Sequence, residues 1–384
     1  MKSLPHVSSL ILFLSFWSCG QPSGLTHNSH VHEAPDAINA YQRMGLDTKP
    51  YTDVRATAQI NSPQKFWSGF YWPTYQGGIS YRWQYGGQTE SYTAYLYPIP
   101  SFPEYQQLRP EQLQRLSPAE KYDVWVNDPA MTLTRIERQK VINTAQNYNN
   151  TIPTWFGICD GWALATSMED EPIRMVRAQS PSGQIVPFYP EDIKALMSQY
   201  YAHARKQYVS AGGRCNRPQV TKDANGRVIE PECRDINPAT LHLAMDRFVG
   251  DKERKLIIDI SRDEMVWNYP IYNYRIQYNN LRRFTPHPSY PHAAPGTQYL
   301  INVNATVVLV SGDQPTTQLV PQRAYLQKVW QYVLELDGSY NIIGGEWITD
   351  EHPDFVWIVQ SAANGSSRID YQNLSALAQA ARSL

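Results

Sequence analysis

One stretch constrains this chain more than any other: Trp155-Phe156-Gly157-Ile158-Cys159-Asp160-Gly161-Trp162-Ala163-Leu164-Ala165. A cysteine stands there between two glycines, aromatic rings flank it, and an alanine-rich helical run begins just after it. Gly157 and Gly161 permit a sharp turn and a close approach by other backbone or by a substrate. The first N–H groups of a helix lack intrahelical partners and carry partial positive charge. A thiol placed there is drawn toward its nucleophilic thiolate form. The competing reading is a buried cysteine opening a core helix, because free Cys packs as a small hydrophobe.

The beginning of the chain reads as an export signal. Lys2 supplies a basic start, Val7 to Trp17 are largely apolar, and Ser18-Cys19-Gly20 follows. The apolar run is too short for an ordinary membrane-spanning helix. A small residue before Cys and Gly also fits a lipoprotein cleavage site, with Cys19 carrying a lipid that tethers the protein to the membrane. Export gives the cysteine count meaning. Cys215 and Cys233 bracket a polar segment with the turn signal Asp223-Ala224-Asn225-Gly226. A disulfide between them would add about 3 kcal/mol in the loop-entropy model. With Cys19 assigned to the signal, Cys159 is left without a partner, and an odd thiol in an exported protein points to a chemical role.

The net charge of −1 and the lack of a basic stripe exclude nucleic acid as an electrostatic partner. The 26 Tyr, 11 Trp, 10 Phe and 28 Pro indicate long ordered loops that bury rings. Helix starts with proline at the first position are expected at Pro110, Pro118 and Pro190, the last running through Lys206. Another helix is expected over Thr132–Tyr148. Strands are expected at Leu256–Ile260, Tyr272–Tyr278, Leu300–Val310 and Trp330–Leu336. Helices first and strands later make the fold class α+β.

A cysteine nucleophile needs a base, and the base an orienting acceptor. His242, just past the Cys215–Cys233 loop, is the first candidate base. Asp259, ending an apolar strand, is the first candidate orienter. The plain alternative makes His242 a core histidine. His352 with Asp354 form a second pair, near Glu346 and Asp350, for which turn and capping roles are the simpler reading. Trp155, Trp162 and Trp267 could wall a substrate site, or be core. There is no Gly-x-Ser-x-Gly elbow for serine catalysis, no zinc spacing and no helix-loop-helix calcium loop. No cofactor is expected from the residues.

Several separated stretches together resemble the transglutaminase elicitor family, known from oomycete secreted glycoproteins and related bacterial proteins. They are Trp155 to Ala163, Asp235-Ile236-Asn237-Pro238-Ala239-Thr240-Leu241-His242, Val266-Trp267-Asn268-Tyr269-Pro270 with Tyr274-Arg275-Ile276, Tyr332 to Asp337, Ile342 to Trp347, and His352-Pro353-Asp354-Phe355. The third is similar to the family's elicitor peptide, from which Tyr269 and Tyr272 depart. The likeness runs from about residue 60 to 360. It implies a papain-like, transglutaminase-like core with helices packed against an antiparallel sheet, and a bacterial member is the expectation here. It also implies acyl transfer from a peptide glutamine to a lysine amine, with Cys159 as nucleophile and protein or peptide substrates as partners. Calcium dependence is known for some members. The expected layout is a signal at 1–19, a tether at 20–60, a catalytic domain at 61–362 and a helical tail at 363–384. The same residues would serve a cysteine peptidase or glutamine deamidase, or a surface-binding lipoprotein without turnover.

Overall fold

A computed structural model describes residues 39–382, apart from 61–65, 84–91, 216, 218, 225–226, 252–253, 262–264, 288–291, 313, 320–322 and 364–367. The export signal at 1–19, Cys19, and residues 20–38 of the expected tether lie outside the described residues. Among the described residues no helix is long and apolar enough to cross a membrane.

The helices in chain order are α1 (Phe102–Gln106), α2 (Pro110–Leu113), α3 (Pro118–Trp125), α4 (Thr132–Asn147), α5 (Cys159–Met168), α6 (Pro190–Ala202), α7 (Pro238–Ala244) and α8 (Tyr371–Ala381). The strands are β1 (Thr57–Gln59), β2 (Val176–Gln179), β3 (Ile185–Phe188), β4 (Arg205–Gly212), β5 (Ile257–Asp259), β6 (Asn268–Arg283), β7 (Tyr299–Ser311), β8 (Ala324–Leu336), β9 (Ile342–Trp347) and β10 (Phe355–Ala363). β2 and β3 form a separate ribbon. The others make one antiparallel sheet in the order β4-β10-β5-β6-β7-β8-β9, with β1 added along β6. Helices precede most of the sheet in the chain, as an α+β fold requires.

Proline opens α2, α3, α6 and α7, where its missing N–H costs no helical hydrogen bond. At α3 the local signal becomes a tertiary anchor. Ser117 Oγ accepts from the Glu120 N–H at 3.2 Å, and the Glu120 carboxylate accepts from the Ser117 N–H at 3.0 Å. The same carboxylate takes the hydroxyls of Tyr97 at 3.0 Å and Tyr105 at 2.5 Å, and pairs with Arg82. The aromatic region before α1 is thereby pinned to the helical layer. It folds as short 3-10 turns, with no strand among its described residues.

Two expected boundaries move. α6 stops at Ala202 instead of Lys206, because Arg205–Gly212 pairs with β10 as β4. From Asn39 onward the expected tether is part of the body: β1 pairs with β6, and Met44, Leu46, Val54 and Ile60 are buried. The sparse apolar residues of that polar stretch are the ones that dock. The carboxyl-terminal helix α8 forms as expected and buries Leu374 and Leu377. The disulfide Cys215–Cys233 is present. The bridge Lys222↔Val228 closes the hairpin it brackets, although Asn225 and Gly226 lie outside the described residues.

α5 sits at the centre, with Ala163, Leu164 and Ala165 fully buried. A Cβ on Gly161 would stand 2.1 Å from the Ser198 carbonyl oxygen of α6, and one on Gly157 2.3 Å from the Tyr71 carbonyl oxygen. Neither glycine has a positive φ. Close approach of backbone, not a turn, is what requires glycine at both. Gly161→Ala must therefore push α5 off α6. We expect a loss of about 1–3 kcal/mol in denaturant unfolding; an unchanged midpoint would show that the helices are not in such close contact.

Candidate active site

Cys159 is the first residue of α5 and is buried. Its position is set from the residue before it. The Ile158 N–H donates to the Tyr71 carbonyl at 2.7 Å, and the Ile158 carbonyl accepts from the Trp162 N–H at 3.0 Å, starting the helix. The sulfur lies 3.7 Å from the Val266 carbonyl oxygen and accepts from Asn268 Nδ2 at 3.5 Å. Asp160, next along, would oppose a negative sulfur, but it is neutralised by Lys206 at 2.7 Å. The expectation that Cys159 has no sulfur partner is corrected. It is disulfide-bonded, to a partner outside the described residues, and no free cysteine remains among those described.

Asn268 opens β6, and its partner across the ladder is Asp259, the last residue of β5. Residues directly opposite on antiparallel strands share a face, with Cβ atoms about 5 Å apart. The carboxyl of Asp259 thus stands beside the amide that touches the sulfur. It is fully buried. Oδ1 accepts from the Trp267 N–H at 2.7 Å, the Ser261 N–H at 3.3 Å and the Ser261 hydroxyl at 3.0 Å. Oδ2 has no hydrogen-bond partner among the described residues. Burial pushes this carboxyl up to about 7, against the pull of those three donors and of Arg214. On the third side, the Trp357 indole N–H of β10 donates to Asn268 Oδ1 at 2.7 Å. Neither Asn268 nor Trp357 stands out in the sequence as a site residue; the signal for Asn268 is its place opposite Asp259 once the two runs pair.

Of the three tryptophans expected to wall a site, Trp267 lies in the chain between the two residues that touch the sulfur, Val266 and Asn268. Its ring meets Tyr71 edge-on at 5.7 Å and stacks on Tyr269 at 6.2 Å, and its buried Nε1 has no partner among the described residues. Trp162 is core, its indole N–H donating to the Trp67 carbonyl at 3.3 Å. Trp155 is half-buried and packs edge-on against Phe156 at 4.7 Å.

The candidate bases stand elsewhere. His242 is fully buried on α7, its Nδ1 2.7 Å from the Tyr332 hydroxyl and its Nε2 2.9 Å from the Tyr278 hydroxyl. Burial pushes it down to about 3, so it is neutral. One ring nitrogen then donates and the other accepts, roles that two hydroxyls can both meet. Tyr278 lies ten residues along β6 from Asn268 (278 − 268), which is about 33 Å of strand. Side chains do not close that gap, so His242 is not the partner of Cys159. His352 is likewise engaged, by Asp235 at 2.9 Å and the Thr349 carbonyl at 2.9 Å, and stacks on Trp347. The carboxylate it meets is Asp235, just ahead of α7, and not Asp354 of the expected pair. Among the described residues no imidazole hydrogen-bonds the Cys159 sulfur or Asp259.

Helices packed against one large antiparallel sheet, with a buried cysteine at a helix start, make this an α+β protein. The fold is similar to the crystal structure of the GP42 transglutaminase from Phytophthora sojae, with a TM-score of 0.64 and 22% identity over 91% of this chain and 98% of that one. A search of curated proteins gives no match. The family model described as transglutaminase elicitor matches residues 38–383, and the chain belongs to that family.

The raised carboxyl of Asp259 makes a testable demand on stability. The folded protein keeps a proton that the unfolded chain gives up near the ordinary value of 3.8. The stability this proton contributes is whole below that value and is lost as the pH rises through about 7. Across this window the wild type should lose stability relative to Asp259→Asn, by an amount on the order of a few kcal/mol. Parallel pH profiles of the two proteins in thermal melts would contradict the assignment.

Proposed function

We propose that the protein is a protein-glutamine γ-glutamyltransferase that uses Cys159 as nucleophile and Asp259 as its acid–base group. One observation carries the reading: a buried carboxyl, titrating near neutrality with one oxygen unengaged, stands opposite the residue that touches the cysteine sulfur. A group of that kind has the pKa a proton shuttle needs.

The sulfur must first be a thiol, which a dithiol reductant supplies by opening its disulfide. The thiolate attacks a glutamine carboxamide, forming the C–S bond and an oxyanion next to the start of α5, where helix N–H groups stabilise negative charge. Protonated Asp259 gives its proton to the departing nitrogen. The C–N bond breaks, ammonia leaves, and a thioester and a carboxylate remain. An amine then attacks the thioester, the carboxylate takes the amine proton, and the C–S bond breaks to return the thiolate and the acid. Water in the second step would give glutamate instead. The cluster of Tyr71, Trp267 and Tyr269, next in the chain to the residues that touch the sulfur, supports amine over water, because aromatic rings exclude solvent. These steps use the chain's own groups. The Cys215–Cys233 disulfide supports an exported protein, acting on protein or peptide substrates.

The test is incorporation of a labelled primary amine into a glutamine peptide by the reduced protein. The wild type should incorporate it, Cys159→Ala should not, and Asp259→Asn should lose at least ~100-fold in rate. Release of glutamate without amine incorporation would assign a deamidase. No reaction with any acceptor would remove the enzymatic reading.

A further inference from the structure

The sulfur of Cys159 has one side-chain hydrogen-bond donor among the described residues, and it is not a titratable group. Asn268 Nδ2 reaches Sγ at 3.5 Å, and the Asn268 side chain is itself buried. An amide could in principle turn either end toward the sulfur. Here the choice is fixed by Trp357. An indole N–H can only donate, and it meets the other end of the amide at 2.7 Å. That end must be the carbonyl oxygen, so the NH2 group faces the sulfur.

We propose that Asn268 is a catalytic residue that stabilises the Cys159 thiolate and aims it, and that Trp357 is the positioning residue that holds its amide in register. A hydrogen bond to an ionised acceptor is about twice as strong as one to a neutral acceptor. The Asn268 N–H therefore favours S⁻ over S–H without adding a charge to the site. A cation there would carry more field but would also lower the neighbouring carboxyl, which must hold a proton to release ammonia. A neutral donor separates the two tasks: the sulfur is ionised while Asp259, one strand away, remains protonated. The strand pairing delivers both, since Asn268 and Asp259 occupy one ladder position.

The charged and titratable groups facing this sulfur are few. α5 brings Asp160, closed by Lys206 of β4. The end of α6 brings His203, which feels Asp160, Lys140 and Lys206. β5 brings Asp259, with Arg214 acting on it, and β6 brings Tyr269. Asp259 pairs across the ladder with Asn268, so its influence has to be separated from that of the amide.

The role of Asn268 deepens the transferase reading, yet it can be tested without any acyl transfer. The full chain is reduced with a dithiol, the reductant removed under anaerobic conditions, and iodoacetamide alkylation of the Cys159 peptide followed by mass spectrometry from pH 4 to 10. The midpoint of the rate profile reports thiol ionisation. Asn268→Ala should raise that midpoint by about one pH unit or more. Trp357→Phe, which keeps a ring in the core but frees the amide to flip, should raise it by less. Both shifts should persist in an Asp259→Asn background, which rules out an indirect effect through the carboxyl. An unchanged midpoint in Asn268→Ala overturns the proposal. If that variant does not fold, an unchanged midpoint in Trp357→Phe does so. A shifted midpoint in a protein that transfers no amine would strike the transferase reading and leave this one standing. Intact transfer with an unshifted midpoint would do the reverse.

Discussion

The contact that everything else depends on is the approach of α5 to α6 at backbone distance. Gly161 against the Ser198 carbonyl leaves no room for a side chain, and Gly157 leaves none against Tyr71. These two contacts, four residues apart (161 − 157), clamp the start of α5 from both sides, with Cys159 midway between them. A helix start held this way cannot fray, so the positive end of its dipole is presented at one fixed point. The sheet completes the site by bringing the ends of β5 and β6 to that same point. The position of the sulfur is thus a consequence of packing, and its chemistry a consequence of what the sheet places beside it.

Several buried polar groups of the helical layer are fully paired. Lys121 and Asp192 are wholly buried and pair at 2.6 Å, and Asp192 also takes the Trp83 indole N–H at 2.8 Å and the Tyr189 N–H at 2.6 Å. Glu120 is similarly saturated by Arg82, Tyr97, Tyr105 and Ser117. Networks of this kind make a core specific and do nothing else. Asp259 Oδ2 and Trp267 Nε1 are buried with no partner among the described residues, as are Trp72 Nε1 and the Tyr274 hydroxyl elsewhere in the core. Leaving such groups unmet destabilises a fold by about 1–3 kcal/mol each, and functional sites are where such a cost persists.

Much of this was legible in the sequence, for reasons that are local. Proline at first helical positions marked α2, α3 and α6, the apolar alternation of Leu300–Val310 marked β7, and the spacing of Cys215 and Cys233 marked their bond. The glycine-flanked cysteine was correctly read as the start of a helix. What could not be read was which strand ends meet. Proximity in sequence to the Cys215–Cys233 loop made His242 the first choice, whereas the sheet carries it about 30 Å along β6 from the sulfur. The burial of Asp259 and its unengaged oxygen are properties of the fold that no sequence pattern carries. β4 and β10 went unread because their pairing is with each other and with β5, a contact no local pattern announces.

The account reduces to a claim about one bond: a glutamine side chain becomes a thioester on Cys159. It is tested most directly by mixing the reduced protein with a glutamine peptide in the absence of any amine, quenching in acid, and measuring intact mass and then the modified peptide. The prediction is a transient adduct equal to the peptide less ammonia, located on Cys159 and discharged by hydroxylamine. An adduct on any other residue, or ammonia released with no covalent species on Cys159, would contradict it.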